Sequence, residues 1–213
     1  MSTSSSIKKV RLTRVEQNAE RSRELLASAW AVFCEKGYEA VTIDDVAAHA
    51  GYSRMPIYSL FGDKQTLFFE LWTVTLEEIS KLLLSQLKAG GPLRANIKRL
   101  AAAVAVSRPK DQSNAGESLF FVVQTIALSR PEIEKRLILL SRKILTDFAG
   151  MISSSTLARG EKLRASADNI AAHLIAHING LSTVRFQTGM DYVQARDLET
   201  IFLAITFAAS KSE

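Results

Sequence analysis

Residues 49–64 read HAGYSRMPIYSLFGDK and interrupt a chain that otherwise reads as one amphipathic helix after another. The stretch holds a proline, two tyrosines and a lysine, and glycines stand at 51 and 62. Yet Ile57, Leu60 and Phe61 keep a helical spacing inside it. The pattern predicts one very short helix, with Ser53 at its N-cap and its end near Leu60. Only Ile57 and Leu60 need face inward, which leaves an unusual amount of polar and aromatic surface outside.

The segment before it, TIDDVAAHAG at 42–51, predicts a two-turn helix. Thr42 is a good N-cap, Asp45 stands three residues on in a variant of the capping box, and two aspartates favour the positive end of a helix. Ile43, Val46, Ala47 and Ala50 form its apolar stripe, and Gly51 stops it. Earlier still, Leu25, Leu26, Ala29, Trp30 and Phe33 mark a helix from about Arg14 to Lys36, stopped by Gly37. Two short helices joined by a tight glycine turn, with a third before them, make helix-turn-helix geometry. The first of the pair braces the second, whose N-terminal residues face outward and can enter a major groove about 12 Å wide. The alternative is a plain helical hairpin in an all-α core.

Beyond Gly62-Asp63-Lys64, the residues Leu67, Phe68, Leu71, Trp72, Leu76, Ile79 and Leu83 carry a long helix to about Leu87. KAGGP at 88–92 is the clearest boundary in the chain. Further helices are predicted at 93–107, 115–129, 131–157, 166–188 and 194–210, with the polar segment 107–116 expected to be mobile. The expectation is an all-α protein of about nine helices. It comprises a flexible basic arm over 1–13, a helix-turn-helix domain over 14–65, and a helical domain over 66–213.

Composition narrows the function classes. The chain has 213 residues, enough to bury a sizeable core, with 47% hydrophobic and 23% charged residues and only four prolines. A net charge of +5 is compatible with nucleic acid without requiring it. The single Cys34 excludes an intramolecular disulfide, the basic N-terminus lacks the apolar core of a secretory signal, and no apolar run approaches the ~20 residues of a membrane span. A cytoplasmic location is expected. No nucleophile elbow or glycine-rich phosphate loop is present, so no enzyme activity and no cofactor are expected. His173 and His177 have an i, i+4 spacing that can hold a metal, but no further ligand set accompanies them, and no metal site is expected. Cys34, beside the first helix's stripe, reads as a small buried hydrophobe.

The stretch RELLASAWAVFCEKGYEAVTIDDVAAHAGYSRMPIYSLFGDKQTLFFEL, residues 23–71, closely resembles the N-terminal DNA-binding domain of the tetracycline-repressor (TetR) family of bacterial regulators. Its matching pieces are the stripe ending in FCEKGY, the TIDDVAAHAG helix, YS, and IYSLFGDK. It covers about a quarter of the chain; the remainder matches only in being helical and of the expected length, and in that family it serves dimerisation and ligand binding.

By position, the resemblance implies that Thr42 meets a DNA phosphate at its helix N-terminus, that Tyr58 bonds a second phosphate and that Lys64 pairs with a third. Arg54 and Met55, at the exposed start of the reading helix, are the candidates for base contact, Arg54 on guanine and Met55 on a thymine methyl. Ser53, Pro56 and Ser59 complete the candidate set. Pro56 departs from the small polar residue common in the family and offers apolar contact only; it also restricts Met55 before it. Tyr52 stands where a smaller aliphatic residue is usual, so local packing is expected to shift. Lys8, Lys9, Arg11 and Arg14 form an arm of the kind that in some relatives reaches the minor groove, the alternative being a solvated end.

Farther along, GESLFFVVQTIALS at 116–129 reads as a helix apolar nearly all round and therefore buried, with Gln124 and Thr125 as isolated polar groups. Phe120, Phe121 and Gln124, with Trp72 and Asn96, are the candidates for lining a largely apolar effector cavity. The last two helices are apolar on more than one face and so need a second partner. The resemblance implies that they pair with their copies in a homodimer, with Ala171, Ala172 and Gly180 allowing close approach. A dimer suits a two-fold symmetric double-stranded operator. The resulting expectation is a dimeric, ligand-responsive regulator, and the rival is a helical binding or scaffold protein that does not read DNA.

Overall fold

The computed structural model describes residues 13–106, 115–190 and 194–209. Among them are nine α-helices and no strand: α1 (Arg14–Lys36), α2 (Ile43–Ala50), α3 (Arg54–Phe61), α4 (Lys64–Ser85), α5 (Leu93–Val106), α6 (Ala115–Ser129), α7 (Pro131–Ser154), α8 (Ala167–Thr188) and α9 (Ala195–Thr206). The chain divides into two compact units, Met1–Leu71 and Trp72–Glu213. The division falls inside α4, a little beyond the 65/66 boundary read from the sequence.

In the first unit, Thr13 and Glu16 open α1 with a reciprocal capping box, and Gly37 closes it at a φ of 77° that an L side chain rarely adopts. Leu25, Leu26, Ala29, Val32 and Phe33 form the buried stripe of α1. Phe33 meets Tyr38 and Phe68 at centroid distances of 5.7 and 5.1 Å, and Tyr38 meets Phe68 at 4.9 Å, so three rings fill the centre of this small core. Gly51 adopts the left-handed conformation that ends α2, and its turn delivers the chain to α3 within two residues. Ser53 holds the N-cap position of α3, but its side chain makes no capping bond. Pro56 falls at the third helical position, where its missing N–H removes no helical bond.

The second unit is built from apolar stripes. Helix α5 packs on α9, α7 on α8, and α6 on both α7 and α8. Ile97, Leu100, Phe148, Ile170, Leu174 and Phe202 lie at the centre of the cluster they share, each no more than 2% exposed. Helix α4 ends at Ser85 rather than near Leu87, because the last turn tightens through bonds from Gln86 N–H to Leu83 O and Leu87 N–H to Leu84 O. Asn96 is completely buried there. Its carboxamide accepts from Lys88 N–H at 3.0 Å and donates to Lys88 O at 2.9 Å and Ser155 Oγ at 3.1 Å, tying the α4–α5 turn to the end of α7.

One sequence expectation is corrected here. Helix α6 is not buried all round: Leu119, Val123, Ile126 and Ala127 face the core, while Gln124, Thr125 and Leu128 are exposed, Leu128 by 86%. The four buried positions follow i, i+4, i+7, i+8, one stripe and no more. Similarly, Ala171 is buried within the core of the second unit, whereas Ala172 and Gly180 are exposed.

Candidate nucleic-acid interface

Helix α3 turns Ile57 (0% exposed) and Phe61 (7%) inward, with Leu60 half-buried beside them. That inward pair leaves Arg54, Met55, Tyr58 and Ser59 exposed and Pro56 half-buried. Met55 is 69% exposed and Tyr58 46%, large apolar surfaces left in water on a helix of eight residues. The Tyr58 hydroxyl has no hydrogen bond among the described residues, so its donor is open to an incoming acceptor. Arg54 Nη1 lies 3.7 Å from Asp44 Oδ2, both side chains well exposed. A pair this open to water contributes little and releases its guanidinium readily.

Thr42 and Lys64 are placed differently from the free phosphate donors the resemblance implies. The Thr42 N–H donates to Asp45 Oδ2 at 2.8 Å, its hydroxyl donates to the same oxygen at 2.5 Å, and Thr42 Oγ1 accepts from Asp45 N–H at 3.1 Å. Lys36 Nζ donates to the other carboxylate oxygen at 2.6 Å. Lys36, and after it the Thr42 hydroxyl and N–H, hold the Asp45 carboxyl far below the usual carboxylate range. A phosphate at Thr42 therefore competes with a fixed carboxylate. The Lys64 ammonium donates to Val41 O at 2.8 Å and Glu39 O at 3.2 Å and sits 4.4 Å from the centre of the Tyr38 ring. Lys64 thus closes the turn between α1 and α2 and has one remaining N–H for an outside partner.

The turn before α3 contains contacts that sequence reasoning missed. The Tyr52 hydroxyl donates to Glu24 Oε2 on α1 at 2.5 Å, and the Arg21 guanidinium lies 5.7 Å from the Tyr52 ring centroid. The bond to Glu24 raises the Tyr52 hydroxyl above its ordinary value. The only signal was the departure at 52 from a small aliphatic residue. Arg14 is exposed at the start of α1; Lys8, Lys9 and Arg11, and most of the 107–116 segment, lie outside the described residues.

In the second unit, three of the five effector candidates come together. Trp72 meets Phe120 at 5.9 Å, Phe120 meets Phe121 at 5.4 Å, and Phe121 meets Phe186 at 4.9 Å. Phe186, on α8, was not singled out from sequence, and its position near a helix end carries no local mark. Asn96, engaged with Lys88 and Ser155, and Gln124, exposed, stand outside this run. A cleft of about 410 Å³ between α8 and α9 is lined by His177, Leu181, Gln194, Asp197, Leu198, Thr200 and Ile201. His177 packs edge-on to Phe202, and no group of three potential metal ligands occurs among the described residues.

Residues 25–71 match the family model described as bacterial regulatory proteins, tetR family. The uncharacterized HTH-type transcriptional regulator YhgD of Bacillus subtilis is 30% identical over 93 residues, 44% of this chain and 49% of YhgD. The HTH-type transcriptional regulator AcrR of Shigella flexneri is 32% identical over 70 residues, 32% of this chain and 33% of AcrR. The match thus spans half or less of the length of these curated relatives. Likeness of fold reaches farther. A tetR-family regulator structure from Mesorhizobium loti aligns over 92% of this chain and all of its own at TM-score 0.68 and 22% identity. A regulator of Saccharomonospora viridis in complex with choline aligns over 90% of this chain at TM-score 0.66 and 19% identity. Residues 25–71 are thus similar to the helix-turn-helix unit of bacterial tetR-family regulators, and the fold of the chain is like that of solved tetR-family structures.

Proposed function

We propose that the chain is a homodimeric, ligand-responsive transcriptional repressor, held on a two-fold symmetric double-stranded operator in the cytoplasm until a small molecule releases it. The observation that carries the reading is the outward face of α3. Ile57 and Phe61 brace it, while Arg54, Met55 and Tyr58 are open to a partner, inside the stretch that matches the tetR family. Arg54 and Met55 read base edges, while Tyr58, Ser53, Ser59 and the free N–H of Lys64 hold phosphates on either side. Thr42 joins them where phosphate displaces the Asp45 carboxylate, and Pro56 adds apolar contact.

Dimerisation is supported by α8 and α9, which expose Val184, Phe186 and Ile201 alongside the small Ala172 and Gly180. The aromatic run Trp72–Phe120–Phe121–Phe186 supports a largely apolar effector site. The choline bound by the Saccharomonospora viridis relative is consistent with a small-molecule role for a protein of this fold. Release requires the effector to prefer one of two states of the dimer.

Selection of duplexes from a randomised pool by the purified protein tests the reading. An enriched inverted repeat, with half-sites about one helical turn or a multiple of it apart, is expected. A pool that stays random through successive rounds contradicts sequence-specific binding and leaves the scaffold reading in its place.

A further inference from the structure

We propose that Tyr52, bonded to Glu24 and packed against Arg21, is a positioning residue that sets the pose of α3, so that the turn before the reading helix tunes operator affinity without touching DNA. This rests on the DNA-binding reading above.

The start of α3 lacks the device that fixes α1 and α2. Thr13 and Thr42 each close a reciprocal capping box, whereas Ser53 makes no capping bond. Pro56 at the third position removes one more N–H that a side chain could have held. A helix begun in this way depends on its flanks. One flank is the left-handed Gly51, whose turn brings Tyr52 N–H to Ala47 O at 2.9 Å. The other is the Tyr52 side chain, which reaches 28 positions back to Glu24 at 2.5 Å. Arg21 lies one turn earlier on the same helix and covers the ring, and its Nε is enclosed with no hydrogen-bond partner among the described residues. The ring is thus held by two residues on one face of α1. A small aliphatic side chain at 52 would not reach Glu24.

Only Ser53 separates Tyr52 from Arg54. Bidentate contact with a base edge tolerates little tilt, so a change of pose at 52 passes directly to the residues that read sequence. The nonspecific attraction to phosphates, which depends on charge rather than alignment, is left as it was.

Fluorescence anisotropy with the selected duplex and with a shuffled duplex, at two salt concentrations, tests this. Tyr52→Phe keeps the ring and removes the bond. Its affinity for the selected duplex is expected to fall about tenfold, with shuffled-duplex affinity and salt slope unchanged. Glu24→Ala should reproduce that loss, Glu24→Gln, which retains an acceptor, should restore most of the affinity, and the double variant Tyr52→Phe/Glu24→Ala should be no worse than either single. Glu24 is exposed, so its variants keep the test valid if Tyr52→Phe proves poorly folded. Three outcomes overturn the proposal: Tyr52→Phe indistinguishable from wild type, equal weakening on both duplexes with a flatter salt slope, or Glu24→Gln as impaired as Glu24→Ala. A wild-type protein that does not separate the two duplexes overturns the DNA-binding reading itself, and this inference with it.

Discussion

In the unit Met1–Leu71, the turns between helices are closed by particular polar side chains, while in Trp72–Glu213 the helices meet mainly through apolar stripes. The first unit has Thr13 with Glu16, Thr42 with Asp45 and Lys36, Asp63 capping Thr66 N–H at 2.7 Å, and Lys64 reaching back to residues 39 and 41. Each of those contacts needs a polar side chain of a narrow set of types at one position. The second unit is held by Leu100, Phe148, Ile170, Leu174, Phe202 and their neighbours, and a stripe accepts many apolar exchanges that conserve volume. Particular polar contacts restrict substitution more than an apolar stripe does. That contrast is in keeping with a family match over residues 25–71 beside a likeness of fold covering nine-tenths of the chain at about one-fifth identity.

The contrast can be broken by mutation. The largest effect is expected from Ile57→Ala, which empties a fully buried site in the small core, at about 3 kcal/mol. Hydrogen exchange read by mass spectrometry should show amides of α1–α3 losing protection while those of α5–α9 keep theirs; equal loss in both units would contradict independent cores. Next, Asn96→Ala removes a buried polar knot at the α4–α5 turn, with an expected loss of about 2 kcal/mol. Exchange should quicken at Lys88 and Leu93, and an unchanged pattern there would mean that apolar packing alone holds this turn.

The smallest effect concerns pH. The folded pKa of Asp45 lies far below its ordinary value of 3.8, so its contribution to the first unit is present above that value and is lost as pH falls through the depressed one. Asp45→Asn should therefore lower the thermal midpoint at pH 7, and the gap from wild type should close in strong acid. A gap that persists there would assign the effect to helix propensity rather than to the charge.

Legibility in the sequence followed the same divide. Helix starts at Thr42 and Pro131 and stops at Gly37, Gly51 and Gly189 are local signals, and all nine helices could be placed from them and from the apolar period. Contacts across long separations leave no such trace: Tyr52 to Glu24, and Lys64 to the backbone of residues 39 and 41. Family resemblance pointed Lys64 at DNA, and local sequence offered nothing to reveal its internal partners. Gln124 was misjudged for the opposite reason. A helix rich in apolar residues on every face looks buried, although the rest of the described chain covers one stripe of it.

The proposed DNA-reading role of α3 is most directly tested by titrating wild type and Arg54→Ala against the selected and the shuffled duplex by anisotropy at two salt concentrations. If Arg54 reads a base, the variant loses about 1–3 kcal/mol on the selected duplex, becomes indifferent to the base pair it contacts, and binds the shuffled duplex nearly as before. If both duplexes weaken together, or neither does, α3 is not the element that reads the sequence.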